Sequence, residues 1–356
     1  LGYGDKRVDD AAKDQLARGD TLTGPTALMV ELAEKLVSMV SHADWAMFCK
    51  NGTDATTMAR TIARAQTGKR IILVADGAYH GAAPWCTPLP AGVIPEDRAH
   101  IQKYAYNDVE SLEKAVALAG NDLAAIFASP FKHDAFTDQE LPNPDYARRA
   151  RELCDRTGAM LIVDDVRAGF RLTRDCSWEL LGVQPDLSTW GKSFANGHPI
   201  SAVLGAESSR SGASAIYATG SFWFSAVPMA AAIQTLEILK TTDYVEHSAR
   251  LGQLLRAGIA DVTDTQGFSL RRTGPVQMPN ILFETAQAFR FGFAWGEEMI
   301  KRGVYVHPWH NMFLCAAMME EDIHIALDAA DGAFEAIKAR SSDIAPHPII
   351  LEMLHQ

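Results

Sequence analysis

Three apolar runs, "IILVAD" (71–76), "LAAIFAS" (123–129) and "AMLIVDDV" (159–166), set the strongest limit on how this chain can fold. Each is hydrophobic at consecutive positions rather than at alternate ones. A strand of that kind must be covered on both faces, which is the situation in a parallel sheet between layers of helix. Helix-like segments separate the runs: 54–65, "VESLEKAVALA" and "DYARRARELCDRTG". Strand and helix in repeated alternation predict an α/β layered fold with a mainly parallel central sheet.

Ahead of the first run, "TALMVELAEKLVSMV" places Leu28, Leu32, Leu36 and Met39 on one face and pairs Glu31 with Lys35, the pattern of an amphipathic helix. A long helix, 226–240, leads out of the layered region. Beyond it the texture changes to a helix near 245–262, short strands near 281–284 and 303–307, and a final helix "DIHIALDAADGAFEAIKAR". This predicts a large domain over 41–240 and a smaller α+β domain over 241–356. The helical segment 1–40 is expected to associate with the smaller domain. Because the chain opens on Leu1 inside what reads as a domain, its natural N-terminus is expected to extend further. The tail closes on an apolar patch, "PIILEML", suited to docking on the body or on a partner chain.

A net charge of −11 argues against a nucleic-acid binder, which needs a basic face to displace counterions. No window holds some twenty apolar residues free of charge, so no membrane span is expected. Cys49, Cys86, Cys154, Cys176 and Cys315 are odd in number and widely spaced, with no CxxC pair. Neither a disulfide framework nor a zinc site is expected, and a reducing, cytoplasmic setting is the simplest reading. A small-molecule substrate is the default.

Four local patterns carry chemistry. "LIVDDVRAGFR" puts Asp164 and Asp165 at the end of a strand, with side chains to opposite faces. Ligands in open α/β sheets collect outside the carboxyl ends of strands, so one carboxylate should face a crevice; a turn or cap aspartate is the plainer alternative. "CKNGTDATTMARTIARA" starts a helix at Asn51-Gly52-Thr53, where free N–H groups, a glycine and a hydroxyl suit a bound phosphate. Most helices begin with such caps, so the signal is weak alone. In "GAYHGA", Tyr79 and His80 follow a strand, and an aromatic ring there can cover a flat cofactor or simply pack under a loop. Last, "PDLSTWGKSFANGHPIS" holds Lys192 among Trp190, Gly191 and Phe194, a setting for a desolvated amine or a snorkelling one.

Two nucleotide motifs fail. A P-loop ending at Gly191-Lys192-Ser193 would need a glycine where Asp186 stands, and no GxGxxG turn follows the first strand. Together, a lysine, a strand-end aspartate, a phosphate-type helix start and an aromatic plate are the parts that pyridoxal 5'-phosphate requires. The lysine forms the Schiff base, and the carboxylate keeps the pyridine nitrogen protonated.

On these segments the chain resembles the class III, fold type I aminotransferases, in particular their glutamate-1-semialdehyde aminomutase-like branch. "NGTDATTMARTIARAQTGKRII" is similar to the family's S-G-T-E-A-T phosphate segment, "DDVRAGFR" to its D-E-V-x-x-G-F-R, and "PDLSTWGKSFANGHPISAVLG" to its cofactor-lysine segment; "YHG", "YND" and "GVYVHPWHNMFLCAAMMEEDIHIALDAAD" also resemble family segments. The resemblance covers nearly the whole chain. It implies Lys192 as the Schiff-base lysine and Asp164 as the partner of the pyridine nitrogen. Val166 would press on one ring face and Tyr79 on the other, with His80 beside it. Gly52 and Thr53 would bind the phosphate. In "TGSFWFSAVPMAAA", Ser221, with the adjoining Phe222, would complete the phosphate cup of a neighbouring subunit, implying a homodimer with shared active sites.

There are departures from the family pattern. Asp54 and Asp165 stand where it has Glu, Ser129 stands at a common E-P position, and "SAVP" replaces G-N-P. Arg167, Arg171 and Arg290 are available to hold a substrate carboxylate, and none is singled out; His198 reads as a turn residue. The expected activity is amino transfer between an amine or amino acid and a keto or aldehyde acceptor. An intramolecular aminomutase or epimerase is the alternative, and a non-catalytic binding module is the third reading, disfavoured by retention of both Lys192 and Asp164.

Overall fold

The computed structural model describes residues 1–22, 24–284, 289–346 and 348–354. Seven strands form the main sheet: β1 Trp45–Cys49, β2 Ile71–Ala75, β3 Ile101–Tyr104, β4 Leu123–Ala128, β5 Met160–Asp164, β6 Leu187–Trp190 and β7 Ser201–Gly205. Their order across the sheet is β1-β7-β6-β5-β4-β2-β3. From β6 to β3 every neighbouring pair is parallel, whereas β7 runs antiparallel to both β6 and β1. All strands except β7 therefore deliver their carboxyl ends to one edge of the sheet.

The three apolar runs become β2, β4 and β5, and every residue in them is buried. Helices α3 Gly52–Thr67, α4 Val109–Ala119 and α5 Pro144–Thr157 connect strands in the expected places. Helix α3 presents Ala55, Met58, Ala59, Ile62 and Ala63 to the core, where they meet Phe127, Ile162 and Val203. Full burial of side chains such as Ile62 or Phe127 contributes roughly 1.5–3 kcal/mol each. Its start is locked by a reciprocal cap: Asn51 accepts from the Asp54 amide, and the Asp54 carboxylate accepts from Asn51 N–H.

The chain divides into two compact units. The first comprises Leu1, Tyr3–Lys132 and Pro142–Val245. The N-terminal helices α1 Lys6–Leu16 and α2 Ala27–Met39 belong to it and pack on α7 Ala226–Thr241 (α6 is Arg210–Ala215). This corrects the expectation that segment 1–40 joins the smaller domain. The reason is that α7 is apolar on nearly every side and needs cover, which Leu32 and Leu36 of α2 help to give. Asp20 accepts from the Val227 amide, and Lys35 pairs with Glu237 at 2.6 Å.

The second unit comprises Gly2, His133–Leu141 and Glu246–Gln356. Its described elements are most of α8 (Tyr244–Gln266), an antiparallel pair of β8 Leu270–Thr273 and β9 Asn280–Phe283, α9 Arg290–Lys301, α10 Glu320–Ala339 and α11 Pro348–Leu354. Ile281, Trp295, Ala333 and Phe334 lie in its core. The strand expected near 303–307 does not form. Gly303, at φ +82°, ends α9, Pro308 lacks an N–H for a ladder, and β9 already pairs with β8. Val306 is still buried, so its apolar character reports packing and not a strand.

Candidate active site

Asp164 is the last residue of β5 and stands in register with Thr189 of β6. Thr189 Oγ1 donates to Asp164 Oδ1 at 2.8 Å, and the Val166 amide donates to the same oxygen at 3.2 Å. On the other side, His80 Nδ1 donates to Oδ2 at 2.7 Å. The His80 ring lies over Phe127 with centroids 4.5 Å apart, and Thr56 Oγ1 donates to the His80 carbonyl. Burial alone would raise the carboxyl pKa. The His80 bond and charge, Thr189 and Lys192 outweigh burial and hold Asp164 below its ordinary 3.8. Such a group contributes stability above that ordinary value and loses it as pH falls through the lowered one.

Asp165 faces the other way, as strand alternation requires. It accepts from the Ser177 amide at 2.8 Å and from the Ser177 hydroxyl, and burial pushes it up to about 6. Only Asp164 is turned toward His80 and Lys192.

Lys192 lies two residues beyond the end of β6, after Gly191. Its backbone lies in the left-handed region at φ 49°, which costs a side-chain-bearing residue roughly 1–2 kcal/mol. Trp190 and Phe194 are buried as expected, but Lys192 itself is exposed, which corrects the expectation of a buried lysine. Protein around the amine still strips much of its hydration. That loss, followed by the Arg167 charge, outweighs the pull of Asp164 and pushes the ammonium down from 10.5 to about 8. The sign follows: folding around a charged Lys192 costs stability below about pH 8, and the cost fades as pH rises toward 10.5.

The start of α3 meets this group through Val166. A Cβ placed on Gly52 would lie 2.7 Å from Val166 Cγ1, and one on Gly191 would lie 3.3 Å from the same atom. Thr53 Oγ1 accepts from the Ala82 amide at 3.1 Å, tying the helix start to the loop after His80. Gly52→Ala is expected to lower stability by about 1–3 kcal/mol through overpacking against buried Val166. Thermal denaturation measures it, with Gly68→Ala, a site with open space but φ +68°, as the control for backbone strain alone.

Lys192, Asp164, Val166, Gly52, Thr53 and His80 are thus linked by contacts, register or electrostatic influence at one edge of the sheet. Tyr79 sits at the exit of β2, partly exposed, and Ser221 and Phe222 lie exposed on a turn. Among the described residues, no hydrogen bond or ion pair joins these three to Asp164 or Lys192. Ser129, one residue beyond the register pair Ala128–Val163, is buried and its Oγ has no hydrogen-bond partner. Arg290 belongs to the second unit, where it donates to the Ile344 carbonyl and lies over Phe291. Thr189 was not anticipated: its role depends on strand register, and only its place three residues before Lys192 hints at it.

The residues suit pyridoxal phosphate. Asp164 is buried yet held ionised, Lys192 has an amine with a lowered proton affinity, and glycine leaves room at a helix N-terminus. A layered sheet with this chemistry at its carboxyl edge defines an α/β protein with a site suited to pyridoxal phosphate. The chain matches the family model for class-III aminotransferases over residues 1–337. It is 54% identical over 353 residues to the aminopentol aminotransferase of Sphingopyxis macrogoltabida, covering 99% of this chain and 84% of that protein. Its identity to glutamate-1-semialdehyde 2,1-aminomutase 2 of Bacillus cereus (strain B4264) is 30% over 365 residues, covering 95% of this chain and 84% of that one. The solved structure of the PLP internal aldimine form of the FumI protein of Sphingopyxis sp. MTA144 superposes with a TM-score of 0.97 at 54% identity, over 98% of this chain and 84% of that chain. The chain belongs to the class-III aminotransferases, and its fold is that of the fold type I enzymes. Among the described residues, no helix is long and apolar enough to cross a membrane.

Proposed function

We propose that this chain moves an amino group between an amine or amino acid and a keto or aldehyde acceptor, using pyridoxal 5'-phosphate, with Lys192 and Asp164 as its catalytic residues. The observation that carries the reading is Asp164, buried and yet held below its ordinary pKa by His80 and Thr189 beside Lys192. When bound, the cofactor supplies an aldehyde that takes up the amino group and a pyridinium ring that accepts electrons.

The chain's own groups do the rest. Asp164 would hold the proton on the pyridine nitrogen, with His80 and Thr189 fixing the carboxylate's orientation. Lys192 Nζ would hold the cofactor aldehyde between turnovers and would then accept the proton from the carbon that carries the substrate amine. Gly52 and Thr53 would hold the phosphate through the first-turn amides of α3, and Val166 and Tyr79 would enclose the ring. Uptake of pyridoxal phosphate by cofactor-free protein is expected to accelerate about tenfold from pH 6 to 7 and to level off above pH 8, since only neutral Lys192 attacks an aldehyde. A rate flat across that range would contradict the assignment of the amine.

Amino transfer is tested by visible absorbance of the loaded protein, with amines and amino acids added singly and no acceptor present. Aminopentol is the first donor to try, given the 54% identity to an aminopentol aminotransferase. Loss of the cofactor band with one equivalent of a donor supports transfer; a broad panel that leaves the band untouched would sink it. The aminomutase reading is weaker, resting on 30% identity.

A homodimer with shared active sites completes the proposal. Ser221 and Phe222, exposed on their turn, would reach the phosphate held by the other copy. A monomer at micromolar concentration with cofactor bound would count against it. Five cysteines, none in a disulfide, support a cytoplasmic setting.

A further inference from the structure

Arg60 stands near the middle of α3, with its guanidinium 5.1 Å from the centre of the Trp85 ring. Its Nε is buried and has no hydrogen-bond acceptor. The charges that act on it are Arg64, of the same sign, and Cys86; no carboxylate is among them. Loss of hydration, with Arg64 adding to it, pushes the group down to about 10. The residue as a whole is half-buried, and a partly dehydrated guanidinium with no counter-charge carries a cost that a carboxylate would relieve.

The surroundings narrow its source. Arg64 donates to the Arg70 carbonyl, Arg98 to the carbonyls of Pro84 and Thr87, and Asp122 pairs with Arg70. Glu96 and Asp97 adjoin Arg98 on the turn Pro95–Arg98, and no carboxylate acts on Arg60, on a chain with 44 acidic against 33 basic residues. Trp85 belongs to a core cluster on which Cys86, Ala218 and Trp223 also pack, partly buried. Tyr217 and Phe222, next in sequence to Ala218 and Trp223, project into solvent, with Tyr217 at 95% exposure. Aromatic side chains around an arginine already stacked on tryptophan form the usual centre of a protein interface.

We propose that Arg60 anchors the subunit interface, its guanidinium, held over Trp85, taking a carboxylate from a second copy of this chain. The proposal rests on the homodimer reading above and names a residue that makes it. A second copy is favoured because the chain carries an excess of carboxylates and because the cluster that holds Trp85 is continuous, through Trp223, with the Ser221–Phe222 turn. Stacking on Trp85 pre-orients the planar fork, so a carboxylate bound in two-pronged fashion gains more than it would from a mobile lysine.

Sedimentation velocity of the cofactor-loaded protein over a range of concentrations tests it. Arg60→Met keeps the stem on Trp85 and removes the charge; it is expected to raise the dimer dissociation constant about 30-fold or more. Arg60→Gln is read in the same way should the first variant lose its near-ultraviolet circular dichroism. A folded Arg60→Met or Arg60→Gln protein that dimerises as tightly as the parent overturns the assignment and leaves the homodimer standing. A parent that is monomeric at every concentration overturns both. If citrate raises the parent's melting temperature while neither variant weakens the dimer, the guanidinium serves a free anion, and the proposal fails.

Discussion

Lys192→Ala is expected to slow amino transfer on the order of 10⁴-fold, the upper end of what a positioned acid–base group contributes. The variant also loses the amine that holds the cofactor aldehyde, so its visible band should differ from the parent's. Alanine takes up the same left-handed backbone as lysine, at φ 49°, with only a methyl group to place, so the fold should survive. Stopped-flow absorbance with one donor equivalent measures the loss, and added methylamine should restore part of it. A variant within tenfold of the parent, with the parent's spectrum, would show that the amine does its work elsewhere.

Asp164→Ala is the second large effect, and it acts on both activity and stability. With no carboxylate to hold the pyridine proton, transfer is expected to fall about 10²–10³-fold or more, in the range of a lost electrostatic stabiliser. The cofactor-free protein is expected to lose about 2–4 kcal/mol, because His80 Nδ1 and Thr189 Oγ1 would remain buried without their acceptor. Urea denaturation reads the second quantity independently of the first. Asp165→Ala distinguishes the neighbours. It should destabilise through Ser177 while sparing the spectrum of the bound cofactor, since that carboxylate lies on the opposite face. Equal spectral damage from both variants would contradict the assignment of Asp164 alone to the cofactor.

Residues that act through local pattern were legible before any coordinates. Consecutive apolar positions located β2, β4 and β5, and the Asn51–Asp54 cap located α3. Strand β6, which carries Thr189 and leads to Lys192, gave no such signal. It is four residues long and two of them, Ser188 and Thr189, are polar. Their burial is made tolerable by partners distant in sequence: Ser188 Oγ meets His42, and Thr189 meets Asp164. Hydropathy cannot register a partner that folding supplies. The same limit explains the N-terminal helices, whose apolar faces announced a need for cover but not which surface would provide it. It explains 303–307 as well, where a buried Val306 and a half-buried Val304 imitated a strand that the ladder never required. At the site, Lys192 and Asp164 were readable from residue type and position, whereas the His80–Asp164–Thr189 chain of hydrogen bonds depends on register between strands.

The antiparallel run of β7 has a mechanical consequence for Lys192. The segment after β6 makes a 3-10 turn and is laddered again from Ser201, and along the way Ser193 Oγ donates to the Gly169 carbonyl at 2.7 Å. The lysine is therefore mounted on a short bracket bolted at both ends, not on a swinging loop. Its backbone serves as a pivot, and exchange of the amine between one partner and the next becomes a rotation of a flexible arm about that fixed point.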